Sequence, residues 1–243
     1  RFTALQNITI NLPRIAFKAN GSEEVLFHEL EKAMQMVAKA HLQKKEFIAS
    51  LMEQGVSGPL SVLCDSKDGE KYLRMDRLTY LVGLLGLNEM VQYHTSTELH
   101  ESPQALKFGL KVVANMNLLC KKLSQQYGIN LVLEESPAES SGSRLAKLDM
   151  KYYPSQAMEV LKGSDERDEF YYTNSVHLNV EADIDYIERV QKQSLFHPLI
   201  EAGAICHVWL GEHEPDPESI KNFVIKTFRN TQSSQLAFSP EFT

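Results

Sequence analysis

The feature that most constrains the fold is an alternation between two hydrophobic periods along the chain. Apolar side chains at Ile8, Ile10 and Leu12 repeat every second residue, which predicts a strand over 5–12 ended by Pro13. Ser22 followed by Glu23 and Glu24 reads as a helix N-cap with a negative first turn. Behind it Leu26, Leu30, Met34, Val37, His41, Ile48 and Leu51 fall mostly at steps of three and four, predicting a long amphipathic helix closed near Gly55. The run 78–87 is almost wholly apolar, as expected of a strand buried on both faces. Ser102-Pro103 starts a second helical pattern that runs to Gly128. A short strand over 129–133, a polar loop over 134–143 and a helix over 144–148 come next. A strand over 170–172, a helix carrying Ile184, Ile187 and Val190, and a buried strand over 205–210 continue the alternation. Asp216-Pro217 caps a last helix, and 236–238 is a last strand. Only the polar region 155–169 breaks the rhythm, as an insertion. Such alternation favours a parallel sheet or barrel covered by helices.

Charge narrows the functions available. The formal net charge is -7, so the chain lacks the basic face that captures DNA or RNA by displacing counterions from phosphates. A local cationic pocket for one nucleotide is still compatible with that balance. The cysteines, Cys64, Cys120 and Cys206, are odd in number and form no C-x-x-C pair, which suits reduced thiols in a cytoplasmic protein. No apolar run approaches the roughly 20 residues that span a bilayer. The last residues before Thr243 include the apolar Leu236-Ala237-Phe238, and neither terminus is a polar tail, so the chain is expected to be a piece of a longer protein.

Three clusters are candidates for chemistry. The loop Glu135-Ser136-Pro137-Ala138-Glu139-Ser140-Ser141-Gly142-Ser143 sits between a strand and a helix, where free N–H groups and the helix dipole favour an anion. Its hydroxyls and glycine fit a phosphate site, although a solvated turn with capping serines has the same composition. Tyr171-Tyr172-Thr173-Asn174-Ser175-Val176-His177 gathers hydrogen-bonding side chains at a strand end, where sites lie in parallel α/β folds, and equally fits a turn with a half-buried histidine. His207 and His213 beside Cys206 match no common metal-ligand spacing, so no metal site is assigned. No P-loop, nucleophile elbow or dinucleotide fingerprint is present. The residues alone support an α/β domain that binds an anionic ligand.

Taken in order, Thr9-Ile10-Asn11-Leu12-Pro13-Arg14-Ile15-Ala16, Gly86-Leu87-Asn88-Glu89, Pro137-Ala138-Glu139-Ser140, Tyr172-Thr173-Asn174-Ser175, His207-Val208-Trp209-Leu210-Gly211 and Phe238-Ser239-Pro240-Glu241-Phe242-Thr243 resemble the catalytic subunit of anaerobic (class III) ribonucleotide reductases over essentially the whole chain. The resemblance implies an α/β fold that is part of a ten-stranded barrel of the ribonucleotide reductase and pyruvate formate-lyase type. Residues 1–243 would form a single segment, roughly its second half. It implies reduction of ribonucleoside triphosphates by glycyl and thiyl radical chemistry, with this span positioning substrate. The thiyl-cysteine loop is expected upstream, and the structural zinc and glycyl radical downstream, all outside the span. None of the three cysteines takes those roles.

By the same resemblance Asn11 is the active-site asparagine, facing the ribose hydroxyls. Residues Pro137, Ala138, Glu139, Ser140, Ser141, Gly142 and Ser143 form the phosphate-binding turn, and Asn174 and His177 line the cavity. The implied partners are dNTP or ATP effectors, a radical-SAM activating enzyme, a second copy in a homodimer, and formate or a redox protein as reductant. Nucleic acid and membrane are not among them, and the cytoplasm is the expected location. Two rivals stay open: another glycyl-radical enzyme of the acyl-lyase type, and a non-catalytic nucleotide-binding module. A half-barrel exposes unpaired strand edges. The 243-residue chain alone is therefore expected to unfold without a cooperative transition, and a sharp calorimetric melt would contradict this.

Overall fold

The structure, a computed structural model, describes residues 3–136, 139–164, 169–210 and 215–239. In chain order these form β1 (Thr3–Asn11), α1 (Leu12–Ala19), α2 (Glu23–Met52), α3 (Ser61–Cys64), the short pair β2 (Ser66–Lys67) and β3 (Glu70–Lys71), β4 (Leu78–Leu85), α4 (Leu87–Thr95), α5 (Pro103–Tyr127) and β5 (Asn130–Glu135). They continue with α6 (Glu139–Tyr152), α7 (Pro154–Met158), β6 (Lys162–Ser164), β7 (Glu169–Tyr171), α8 (Tyr186–Ser194), β8 (Cys206–Trp209), α9 (Pro217–Asn230) and β9 (Leu236–Ser239).

The helix starts follow local chemistry. Ser22 accepts from the Val25 N–H, Ser102 from Ala105 at 3.0 Å, and Asp216 from Ser219 at 3.1 Å, each supplying an acceptor to an otherwise orphaned donor. Pro103 and Pro217 occupy first-turn positions where the missing N–H costs nothing. Pro13 behaves in the same way. The strand ends at Asn11, whose side chain caps α1, so Pro13 opens a helix where the pattern suggested only a stop. The long helix α2 closes at Met52, before Gly55. The region 155–169 carries α7 and the antiparallel pair β6–β7.

β1, β4 and β5 form a parallel sheet with β4 in the middle, and β8 pairs in parallel with β9. The Ala202 N–H donates to the Leu133 carbonyl and the Glu135 N–H to the Gly203 carbonyl, both at 3.0 Å. The segment leading into β8 therefore lies along the free edge of β5. On the outer face of the three-stranded sheet, Ile8, Ile10, Tyr80, Val82, Leu84, Leu131 and Leu133 meet Leu26, Leu30 and Met34 of α2 and Val112, Val113 and Met116 of α5. A register shift between Ala4 and Gln6 brings Leu5 onto the same face. His41 of α2 is fully buried against this layer and donates through Nε2 to the Leu81 carbonyl at 3.0 Å, and burial lowers its pKa.

The opposite, inner face is polar. Thr9, Gly83 and Glu134 lie side by side in one row of the register. The Asn7 amide donates to Glu134 at 2.5 Å and to the Ser136 hydroxyl at 3.0 Å, and Thr9 Oγ1 meets Ser136 Oγ at 3.1 Å. A Cβ at residue 83 would fall 1.9 Å from Ser136 Oγ and 2.6 Å from both Asn7 Oδ1 and Thr9 Oγ1. The polar cluster occupies the space that a side chain would need. Burial raises the pKa of Glu134 against the opposing hydrogen bond from Asn7. Gly83→Ala is accordingly expected to destabilise the full-length protein by about 1–3 kcal/mol, the usual cost of overpacking. A denaturant midpoint equal to wild type would show that the cluster relaxes freely.

Candidate substrate cleft at the strand ends

Beside the carboxyl end of β5 lies a cleft of about 790 Å³. Its walls include Glu134 of β5 and Ser136 just after it, Ser143 of α6, the arch 171–175, His177, His207 and Trp209. This is the place where open parallel sheets bind ligands, because loops diverge there and helix N-termini face inward.

The arch after β7 is held by backbone and side chain together. The Gly86 and Leu87 N–H groups donate to the Thr173 and Ser175 carbonyls at 2.9 and 3.2 Å, and Leu85 bridges Asn174 across the end of β4. Gly86 takes a φ of 74° at the start of α4, a conformation that glycine adopts without a Cβ clash. Three residues on, Glu89 is fully buried and accepts from the Thr173 N–H at 3.0 Å and from its hydroxyl at 2.6 Å. Burial raises the Glu89 pKa, and the Thr173 and Asn88 hydrogen bonds with the Lys162 charge oppose it. Asn88 carries the network on, donating to Glu98 at 3.0 Å, and Lys162 pairs with Glu98 at 2.6 Å. The Gly86–Glu89 motif is thus a clamp on the arch.

A second buried carboxylate ties α6 to β1. Asp149 has no exposed surface, and Arg14 Nε donates to its Oδ1 at 2.6 Å. Asn11 Nδ2 and the Tyr172 hydroxyl reach Oδ2 at 2.8 and 3.0 Å. Helix α6 carries the serine-rich turn at its start and Asp149 near its end, so this junction fixes the turn relative to β1 and the arch. Gly142 permits the close approach, since a Cβ there would sit 3.0 Å from the Tyr172 carbonyl.

The predicted site residues divide accordingly. Ser143, Asn174 and His177 share the cleft. His177 Nε2 lies 3.5 Å from Glu135 Oε1, and its ring stands edge-on to His207. Ser140 is exposed, Ser141 is half-buried and Gly142 is buried in the first turn of α6. Pro137 and Ala138 lie outside the described residues, as does the side chain of Glu139. Asn11 is not in the cleft wall. Its Oδ1 caps α1 and one Nδ2 hydrogen is spent on Asp149, leaving one amide hydrogen. His213 lies outside the described residues, and no metal-binding group of His, Cys, Asp and Glu occurs among those described. Cys206 is buried 3.5 Å from His197 Nε2, while His197 Nδ1 accepts from the Ser234 N–H at 2.9 Å. That leaves the hydrogen on Nε2, so the histidine donates to the sulfur. Burial pushes the Cys206 thiol up to about 12 and lowers the His197 pKa, which makes an inert pair.

Sequence reasoning missed Glu89, Asp149 and Ser175. Glu89 and Ser175 stand inside segments singled out above, but no local rule marks a buried carboxylate whose partners are 84 residues away. Asp149, 138 residues from Asn11, left no local signal.

Among the described residues no helix is long and apolar enough to cross a membrane. The family model described as anaerobic ribonucleoside-triphosphate reductase matches residues 2–243. The chain is 24% identical over 208 residues to the anaerobic ribonucleoside-triphosphate reductase of Salmonella typhimurium, covering 82% of this chain and 28% of that one. To the enzyme of the same name from Enterobacteria phage T4 it is 26% identical, covering 84% and 32%. The chain thus spans less than a third of the length of these relatives. A solved anaerobic ribonucleotide reductase superposes with a TM-score of 0.80 at 22% identity, over 98% of this chain and 35% of that one. The Thermotoga maritima enzyme in complex with dATP and CTP gives 0.76 at 19%, over 98% and 37%. The fold is therefore that of anaerobic ribonucleotide reductases.

Removing the Asp149 carboxylate leaves Arg14 without its counter-ion. Asp149→Ala should cost toward the lower end of about 3–5 kcal/mol, because Arg14 still reaches water. Chemical denaturation of the full-length variant measures it, and an unshifted midpoint would contradict the role of this junction.

Proposed function

The chain belongs to the anaerobic ribonucleoside-triphosphate reductase family, and from that premise we propose that the protein it is part of reduces ribonucleoside triphosphates to 2′-deoxyribonucleoside triphosphates, with this span positioning the substrate. The observation that carries the reading is that Ser143, one turn into α6, lines the same cleft as Asn174 and His177. The first N–H groups of a helix have no partners within it, and the helix dipole adds to their pull on an anion. Residues 137–143 hold the phosphates. Asn174 and His177 contact the nucleotide from the cleft wall, and the remaining Asn11 amide hydrogen, outside that wall, is assigned to a ribose hydroxyl that reaches the end of β1.

The radical chemistry belongs to parts of the polypeptide outside this span. A glycyl radical and the thiyl radical it generates would supply the hydrogen-atom chemistry there, with a structural zinc nearby and formate or a redox protein as reductant. This chain's residues bind, orient and exclude water. The solved relative in complex with dATP and CTP supports nucleotide effectors as well as a nucleotide substrate. A radical-SAM activating enzyme, assembly as a homodimer and a cytoplasmic location complete the proposal.

Ser140→Ala combined with Ser141→Ala in the full-length, anaerobically activated enzyme tests the phosphate role. Loss of hydroxyls bonded to a charged group costs about 1.5–3 kcal/mol. The expected result is a fall in kcat/KM of about tenfold or more with a raised KM. Unchanged kinetics would remove the turn from substrate binding.

A further inference from the structure

We propose that Ser175 is a ligand-contacting residue of the cleft, its hydroxyl forming a hydrogen bond to the bound nucleotide. The inference deepens the substrate reading above and rests on it. Ser175 lines the cleft between Asn174 and His177 and is only 1% exposed. Its Oγ is buried and meets no hydrogen-bond partner among the described residues. Buried hydroxyls are almost always paired, and an unpaired one calls for a reason. Its backbone φ of 45° lies in the left-handed region, which a serine enters at a cost that glycine avoids.

The strain is imposed from both sides of the arch. Leu87 N–H holds the Ser175 carbonyl, and the His177 N–H donates to the Asn174 carbonyl at 2.9 Å. Glu89 grips Thr173 immediately before them. A glycine at 175 would satisfy this backbone and leave no orphaned hydroxyl. Serine is worse for the fold on both counts, and a cleft wall is where such a residue gains a use. A hydroxyl both donates and accepts, so it suits a ribose hydroxyl or a phosphate oxygen.

The test uses the full-length protein, with CTP and inorganic tripolyphosphate as probes in titration calorimetry. Ser175→Ala removes the hydroxyl and keeps the strain, whereas Ser175→Gly removes both. Both variants should bind CTP at least fivefold more weakly than wild type, while Ser175→Gly melts at or above the wild-type temperature. Weakening for CTP alone assigns the contact to the sugar, and weakening for both probes assigns it to the phosphates. CTP affinity within twofold of wild type in either variant overturns the proposal. So does a lost affinity in Ser175→Gly that accompanies a lowered melting temperature, since collapse of the arch then explains it. If Ser175→Ala does not fold, the glycine variant carries the test alone. Failure of the wild-type protein to bind CTP would instead sink the nucleotide reading itself, and the Ser175 contact with it.

Discussion

A parallel sheet covered by helices normally buries both faces in apolar contacts, and every polar group set on one of those faces must find a partner there. This chain keeps one face apolar and gives the other to Asn7, Thr9, Glu134 and Ser136, around the bare backbone of Gly83. Each polar side chain in that group bonds another, and among the described residues only Asn7 Oδ1 of the cluster stays buried without a partner. A barrel with a polar interior can hold a polar substrate. Helices α2 and α5 support that wall from behind, and β5, α6, the arch and β8 carry residues to the cleft.

The supporting layer is ordinary. Helices α2 and α5 close over the outer face with leucine, valine and methionine. The rim is built differently, on two buried carboxylates that reach across more than eighty residues. Glu89 fixes the arch through Thr173, and Asp149 fixes α6 through Asn11, Arg14 and Tyr172. Buried charged groups add little net stability compared with a well-packed apolar core, but they define one geometry. Here the two junctions set the serine turn, the arch and the end of β1 in a fixed relation. That relation is what the proposed orientation of a triphosphate and its ribose would require.

Much of this was legible from residues alone, and the parts that were not share one cause. Ser22, Ser102-Pro103 and Asp216-Pro217 announce helices because a cap acts within four residues. The runs at 78–87 and 129–133 announce the strands that form over Leu78–Leu85 and Asn130–Glu135, because burial imposes its own period. The turn at 137–143 and the pair Asn174 and His177 stand out because strand ends and helix starts attract ligands, and of these Ser143, Asn174 and His177 line the cleft. Asn11 was placed correctly at a strand end, but its bond to Asp149 depends on a residue 138 positions away. Glu89 looks like any first-turn acid, and nothing local shows that it is dry. Ser175 reads as a turn residue until its φ and its unpaired hydroxyl are known. Local chemistry is written in the sequence; the pairing of distant polar groups appears only once the chain has folded.

On the function proposed above, the first turn of α6 receives the phosphates of a nucleoside triphosphate at the mouth of this cleft. A crystal structure of the full-length protein with CTP in the cleft addresses it directly. The account places phosphate oxygens within hydrogen-bonding distance of the N–H groups and hydroxyls of residues 140–143, with the ribose toward Asn11. Phosphates bound elsewhere in the barrel, with that turn facing only water, would contradict it.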